Sequence, residues 1–123
     1  MILGAGALIA VDRSDASVMT LLRSTHHRRV ELVTASPVVA QVWRNGRTQA
    51  NLARVLQGVE VVAPDDNLAR RCGELLAATS THDVVDGFVV ALARRGDVIL
   101  TSDPDDISAL AKAAKVIVTV AKI

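Results

Sequence analysis

Four of the chain's thirteen acidic residues fall in two pairs, Asp83 with Asp86 and Asp103 with Asp106. The first pair sits in the run TSTHDVVDGFVVALARRG. The second sits in VILTSDPDDISAL, straight after an apolar, strand-like stretch. Carboxylates gathered near strand ends of a parallel sheet suit a hard divalent cation such as Mg²⁺, which takes oxygen ligands. Asp83 and Asp86 stand one helical turn apart at a helix start, so they share a face. The positive end of the helix dipole there offsets part of their repulsion. Asp103 follows closely on the strand that ends at Thr101, and open parallel sheets bind ligands beyond the carboxyl ends of their strands. Thr101 and Ser102 are placed to hydrogen-bond a water or a phosphate. Together these residues point to metal-assisted phosphate chemistry. The competing reading makes Asp83 an N-cap and Asp103-Pro104-Asp105-Asp106 a second capping segment. Asp86 fits that reading poorly, because it lies inside the first turn beside the apolar stripe Val85, Phe88, Val89, Leu92.

Other constellations are weaker. Gly4-Ala5-Gly6 after a short strand suggests a dinucleotide-binding turn. That pattern needs Gly or Ala at position 9, where the chain has Ile9, and no acid ends the second strand to hold a ribose. A phospho-acceptor receiver domain also clusters acids beside a Thr or Ser. It would need an acceptor after the third strand, where Asp65 is poorly placed, and a Lys after the last strand, where Lys122 comes at the very end. His26, His27 and His82 lack metal-ligand spacing.

The elements that must position the carboxylates alternate strand and helix. Met1 to Leu3 reads as a short strand. Asp15 to His27 has helical spacing, with Ser14 or Asp15 as its cap. Val30 to Thr34 reads as a strand, and Ser36-Pro37 opens a helix with Ser as N-cap and Pro in the first turn. That helix breaks near Asn45-Gly46, and another runs from about Arg47 to Gln57. Val59 to Val62 is a strand. A helix follows from Pro64-Asp65-Asp66 to about Ala78. Asp83 to Arg95 is helical, closed by Gly96. Asp97 to Thr101, a helix from Asp103 to Ala113, and a strand from Val116 to Val120 complete the chain. Alternation of this kind gives an α/β fold whose mostly parallel sheet carries helices on both faces. The apolar strands suit burial on both sides.

At 123 residues the expectation is a single domain over 1–123. Half the residues are apolar but only Phe88 and Trp43 are aromatic, so the core must be aliphatic. No apolar run reaches the roughly 18 residues of a bilayer span, and no basic region precedes MILGAGALIA, as a signal peptide would need. Cys72 stands alone, which fits a reducing cytoplasm. The net charge of +1 excludes a bulk polycation, yet eleven of the fourteen basic residues are Arg. Several are clustered: Arg28-Arg29, Arg44 with Arg47, Arg70-Arg71, Arg94-Arg95. They suit phosphate, or simply face water.

Three stretches together resemble PIN-domain proteins, specifically VapC-type toxins of bacterial toxin–antitoxin pairs: ILGAGALIAVDR, SPVVAQVWRNGR and DVVDGFVVALARRGDVILTSDPDDI. The resemblance runs over essentially the whole chain, and its last stretch is the most specific. It implies a three-layer PIN-like fold with a sheet of four or five strands. It implies a Mg²⁺- or Mn²⁺-dependent endoribonuclease that is cytoplasmic, homodimeric and silenced by a cognate antitoxin, with RNA as substrate. Asp86 and Asp103 match family acids and would hold the metal. Asp83 and Asp106 match accessory acids that would reach it through water. Thr101, Ser102 and Gln41 would support them. Two positions depart from the family pattern. Gly4 stands where the first strand carries Asp, and Gln41 stands where the following helix carries Glu. Gln41 keeps an oxygen but no charge. Cation affinity depends on ligand charge, so the resemblance implies an impaired nuclease. The alternative is a non-catalytic PIN-fold protein that acts by binding an antitoxin or RNA. An exposed apolar patch holding Trp43 is expected on the helices from Ser36 to Gln57.

Overall fold

A computed structural model describes all 123 residues. The chain runs β1 (Ile2–Leu3), α1 (Ala5–Asp12), α2 (Ala16–His27), β2 (Leu32–Ala35), α3 (Ser36–Val42), α4 (Ala50–Leu56) and β3 (Val59–Val62). It continues through α5 (Asp66–Thr79), α6 (Val84–Leu92), β4 (Val98–Thr101) and α7 (Pro104–Ala114) to β5 (Thr119–Lys122). The strands form one five-stranded sheet in the order β3-β2-β1-β4-β5, and every pairing is parallel. This is the PIN-like three-layer α/β arrangement expected from the sequence.

The strand order dictates where the helices lie. Crossovers between parallel strands are right-handed. The steps β1 to β2 and β2 to β3 move one way along the sheet, so α1 to α4 share a face. The steps β3 to β4 and β4 to β5 move so as to place α5, α6 and α7 on the other. Helix packing agrees: α1 contacts α2, α3 and α4, while α5, α6 and α7 contact one another. The core between the layers is aliphatic, with Leu3, Leu8, Val38, Leu52, Val89, Ile99, Leu100 and Ile107 fully enclosed.

The structure departs from the sequence reading at several element ends. Helix α1 fills a stretch that carries no helix signal. Its cap is Gly4, which offers no side-chain hydrogen bond, and it has neither an acid in its first turn nor a base in its last. It is apolar all round, so no amphipathic period reveals it. Ser36 is not a cap. It lies inside α3, whose N-cap is Ala35. Helix α4 begins at Ala50, not Arg47, because Gln49 organises the preceding loop. Its buried amide oxygen accepts the Arg44 and Asn45 N–H groups at 2.7 and 2.9 Å. Its nitrogen donates to Val42 O at 2.9 Å and to Asp12 Oδ2 at 3.3 Å. Helix α6 stops at Leu92, because the Asp97 carboxylate takes the Arg94 N–H at 2.7 Å. Gly96, with φ 88°, therefore serves the turn into β4 and closes no helix. The last strand starts at Thr119 and not Val116, because Thr119 to Lys122 is the segment in register with Val98 to Thr101.

Candidate metal centre

The sheet has its topological switch point between β1 and β4. The chain leaves β1 toward one face and β4 toward the other, which opens a crevice at their carboxyl ends. Gly4 ends β1 there and donates its N–H to Leu100 O at 3.0 Å. Thr101, Ser102 and Asp103 leave β4 at the same place. Gly6, in the first turn of α1, packs onto Ser102 so closely that a Cβ would lie 2.6 Å from Ser102 Cβ. Packing, not phosphate binding, therefore accounts for the glycine in Gly4-Ala5-Gly6.

Helix α6 brings its first turn to this crevice. One oxygen each from Asp86, Asp103 and Asp106 lies within 4.8 Å of the others. Asp86 is buried, Asp106 half-buried and Asp103 exposed. None of them has a cationic partner, since the chain's one ion pair is the exposed Arg70–Asp66 contact. Burial first, then the charges of Asp83, Asp103 and Asp106, push the Asp86 carboxyl up from 3.8 to about 7. Asp106 is also raised, chiefly because it and Asp103 come close enough to share a proton. Uncompensated carboxylates in contact are a hard-oxygen donor set, and the residues present fit a divalent cation of the Mg²⁺ or Mn²⁺ kind.

The acids differ in what else they do. Asp15, Asp65 and Asp83 all act as N-caps, accepting N–H groups from Val18, Leu68 and Asp86 at 3.0, 2.8 and 3.1 Å. Asp103 also holds an N-cap position, at the start of α7, but its side chain makes no capping bond. Its carboxylate faces the cluster instead. The capping reading thus describes Asp83 and fails for Asp103. Asp83 is exposed and stands outside the three-acid group, although its charge is felt by Asp86. Thr101 is buried, and its hydroxyl accepts the Asp103 N–H at 2.9 Å. Ser102 is exposed, and Gln41 is exposed on α3 with no hydrogen bond to the cluster.

Gly4 adopts φ −80° and ψ 176°, extended backbone open to any residue. A Cβ there would lie 3.3 Å from Leu100 O and 3.9 Å from Thr101 Oγ1. Nothing in the backbone conformation demands glycine, and a side chain would project toward the crevice floor. Two of the arginine pairs lie away from this edge. Arg28-Arg29 and Arg94-Arg95 precede β2 and β4, at the opposite edge of the parallel sheet. Arg44 spends its guanidinium on Ala40 O and Trp43 O. Lys122, in register with Thr101, is the basic residue placed beside the carboxyl end of β4. Only the β4–β5 register reveals that placement, which spacing along the chain does not show. Elsewhere, Val39, Trp43, Ala53, Leu56 and Gln57 line a shallow apolar groove between α3 and α4, the patch expected around Trp43.

A five-stranded parallel sheet with carboxylates at its switch point defines the class of structure. Among solved structures, the chain resembles VapBC2 from Rickettsia felis, determined bound to a DNA fragment from their promoter. The match has a TM-score of 0.71 at 14% identity and covers 97% of this chain and 96% of that one. No family model and no curated protein sequence matches the chain significantly. The structural likeness therefore speaks for the fold.

Proposed function

We propose that this protein is a metal-dependent endoribonuclease of the PIN type and the toxin of a type II toxin–antitoxin pair, with its activity reduced by Gly4. The observation that carries the reading is the meeting of Asp86, Asp103 and Asp106 within 4.8 Å, with no cationic partner. The likeness to VapBC2 over nearly the whole chain supports the choice of family.

In this reading Asp86 and Asp103 would hold Mg²⁺ or Mn²⁺, with Asp106 or Asp83 supporting them. A bound dication would supply charge neutralisation at the scissile phosphate and lower the pKa of an attacking water. The chain's own residues do the rest. Asp86, buried in the first turn of α6, offers a poorly hydrated carboxylate. Asp103 and Asp106 leave an exposed oxygen edge where an RNA strand can approach. Ser102 lies at the open rim, where its hydroxyl can reach a phosphate. Lys122 supplies local attraction for the RNA backbone, a salt-dependent contribution. The partners are RNA and a cognate antitoxin, the working form is a homodimer, and the compartment is the cytoplasm. No single helix is long and apolar enough to cross a membrane.

A second reading has an observation of its own. Gly4 brings no ligand, and Gln41 makes no bond to the cluster. A chain so altered could serve only as a binding module for an antitoxin or RNA. Cleavage of total RNA, followed with and without Mn²⁺ for the native chain and Asp103→Asn, separates the two. Cleavage that needs both Mn²⁺ and Asp103 supports the nuclease. Tight RNA binding unaffected by Mn²⁺ and by the substitution supports the binding module.

A further inference from the structure

The polar residues beside the acids divide by what their atoms already do. Ser102 is exposed at the rim, but Thr101 is buried, and its oxygen is engaged by the Asp103 N–H at 2.9 Å. Asp103 is unlike the other capping aspartates. Asp15, Asp65 and Asp83 each turn a carboxylate back onto their own helix, and Asp103 does not. An Asp at such a position gains by capping, so something must hold residue 103 in its alternative arrangement. The Thr101 hydroxyl does this, because a side-chain oxygen that binds a nearby backbone N–H fixes the local chain path. Strand β4 anchors Thr101 in turn: its carbonyl accepts the Ile123 N–H at 3.0 Å, and it stands in register with Lys122. Ser102, wedged on Gly6, limits the same loop from the α1 side.

We infer that Thr101 is a positioning residue: its buried hydroxyl holds Asp103 out of the capping conformation and so aims that carboxylate at Asp86 and Asp106. The inference deepens the metal-centre reading. It assigns Thr101 to the geometry of a ligand and leaves contact with phosphate or water to Ser102. Thr101→Val keeps the shape and strand preference but removes the hydroxyl, and Thr101→Ser keeps the hydroxyl.

The test has two readouts. In the metal-free protein, the Hα–Hβ couplings of Asp103 report its side-chain rotamer. In calorimetry, Mn²⁺ alone reports the assembled cluster. The Ser variant should match the native chain in both. The Val variant should change the Asp103 couplings and lose about 10- to 100-fold in Mn²⁺ affinity, the usual cost of removing an outer partner of a ligand. Its metal-free melting temperature should move by only a few degrees. Thr101→Ala carries the same expectation and serves if the Val variant does not fold. Native couplings and native affinity in a hydroxyl-free variant would overturn the inference, as would a Ser variant as weak as Val. If the native chain binds no Mn²⁺, the metal reading fails, and the couplings alone still decide the role of Thr101.

Discussion

The Asp86 carboxyl makes the folded protein sensitive to pH in a direction opposite to that of most native carboxylates. Its pKa is raised from 3.8 to about 7, with burial as the first cause and three neighbouring aspartates behind it. The folded chain thus holds a proton that the unfolded chain has released. Between about pH 4 and pH 7 the native state binds more protons than the unfolded state, so stability falls as pH rises. At roughly 1.36 kcal/mol for each pH unit between the two pKa values, the loss approaches about 4 kcal/mol once pH exceeds the folded value. Asp86→Asn cannot ionise and removes the penalty. In the metal-free protein at pH 8 it should raise the melting temperature by about 10 °C, since a domain of this size moves several degrees per kcal/mol. Its stability should also be flatter with pH than that of the native chain. The assay is thermal unfolding at pH 5, 6, 7 and 8 in the presence of a chelator. A native chain equally stable at pH 5 and pH 8, or an Asn variant no more stable at pH 8, would refute the burial of an uncompensated charge. Mg²⁺ or Mn²⁺ added at pH 8 should restore stability to the native chain and not to the variant, because ligand binding stabilises only the form that holds it.

Two further substitutions read the surrounding frame. Gly6→Ala should destabilise by about 1–3 kcal/mol, as overpacking does, because its Cβ would press on Ser102 at 2.6 Å. Chemical denaturation measures this, and a neutral effect would mean that α1 and the β4–α7 loop are not in contact. Asp83→Ala should cost about 1 kcal/mol through loss of the cap and should also lower the Asp86 pKa, since the Asp83 charge is the second cause of its elevation. A carboxyl titration by NMR that leaves Asp86 unmoved would remove Asp83 from the electrostatics of the site.

The alternation of elements and a mostly parallel sheet were legible in the sequence because the strands are short apolar runs and three helices carry aspartate caps. The Asp15 and Asp65 caps are the plainest cases. Helix α1 was not legible, because a two-residue strand runs straight into an apolar helix that begins at a glycine. The register of β5 was hidden as well. Val116 to Val118 is as strand-like as Thr119 to Lys122, and only pairing with β4 distinguishes them. For the candidate site, spacing gave the pairs Asp83/Asp86 and Asp103/Asp106 but not their division of labour. Asp83 faces its own helix and Asp106 joins the cluster, a difference set by the packing of α6 against α7. Arg28-Arg29 and Arg94-Arg95 were misleading for the same reason: which sheet edge they occupy depends on strand direction.

The most direct test of a cation-dependent nuclease at the β1–β4 switch point pairs Mn²⁺ calorimetry with total-RNA cleavage on the native chain and on Gly4→Asp. The new carboxylate would extend from extended backbone toward Thr101, with its Cβ 3.3 Å from Leu100 O, a contact relieved by a shift of a few tenths of an ångström. A further charged oxygen ligand should tighten the cation by one or more powers of ten, since carboxylate count tunes such sites over decades. RNA cleavage should rise by roughly 10²-fold, the scale of better positioning at a reacting centre. Gln41→Glu added to Gly4→Asp should raise activity further, but by less. Equal Mn²⁺ affinity and equal cleavage in the native chain and Gly4→Asp would contradict the placement of a ligand at position 4, and absence of Mn²⁺ binding in both would contradict the metal centre itself.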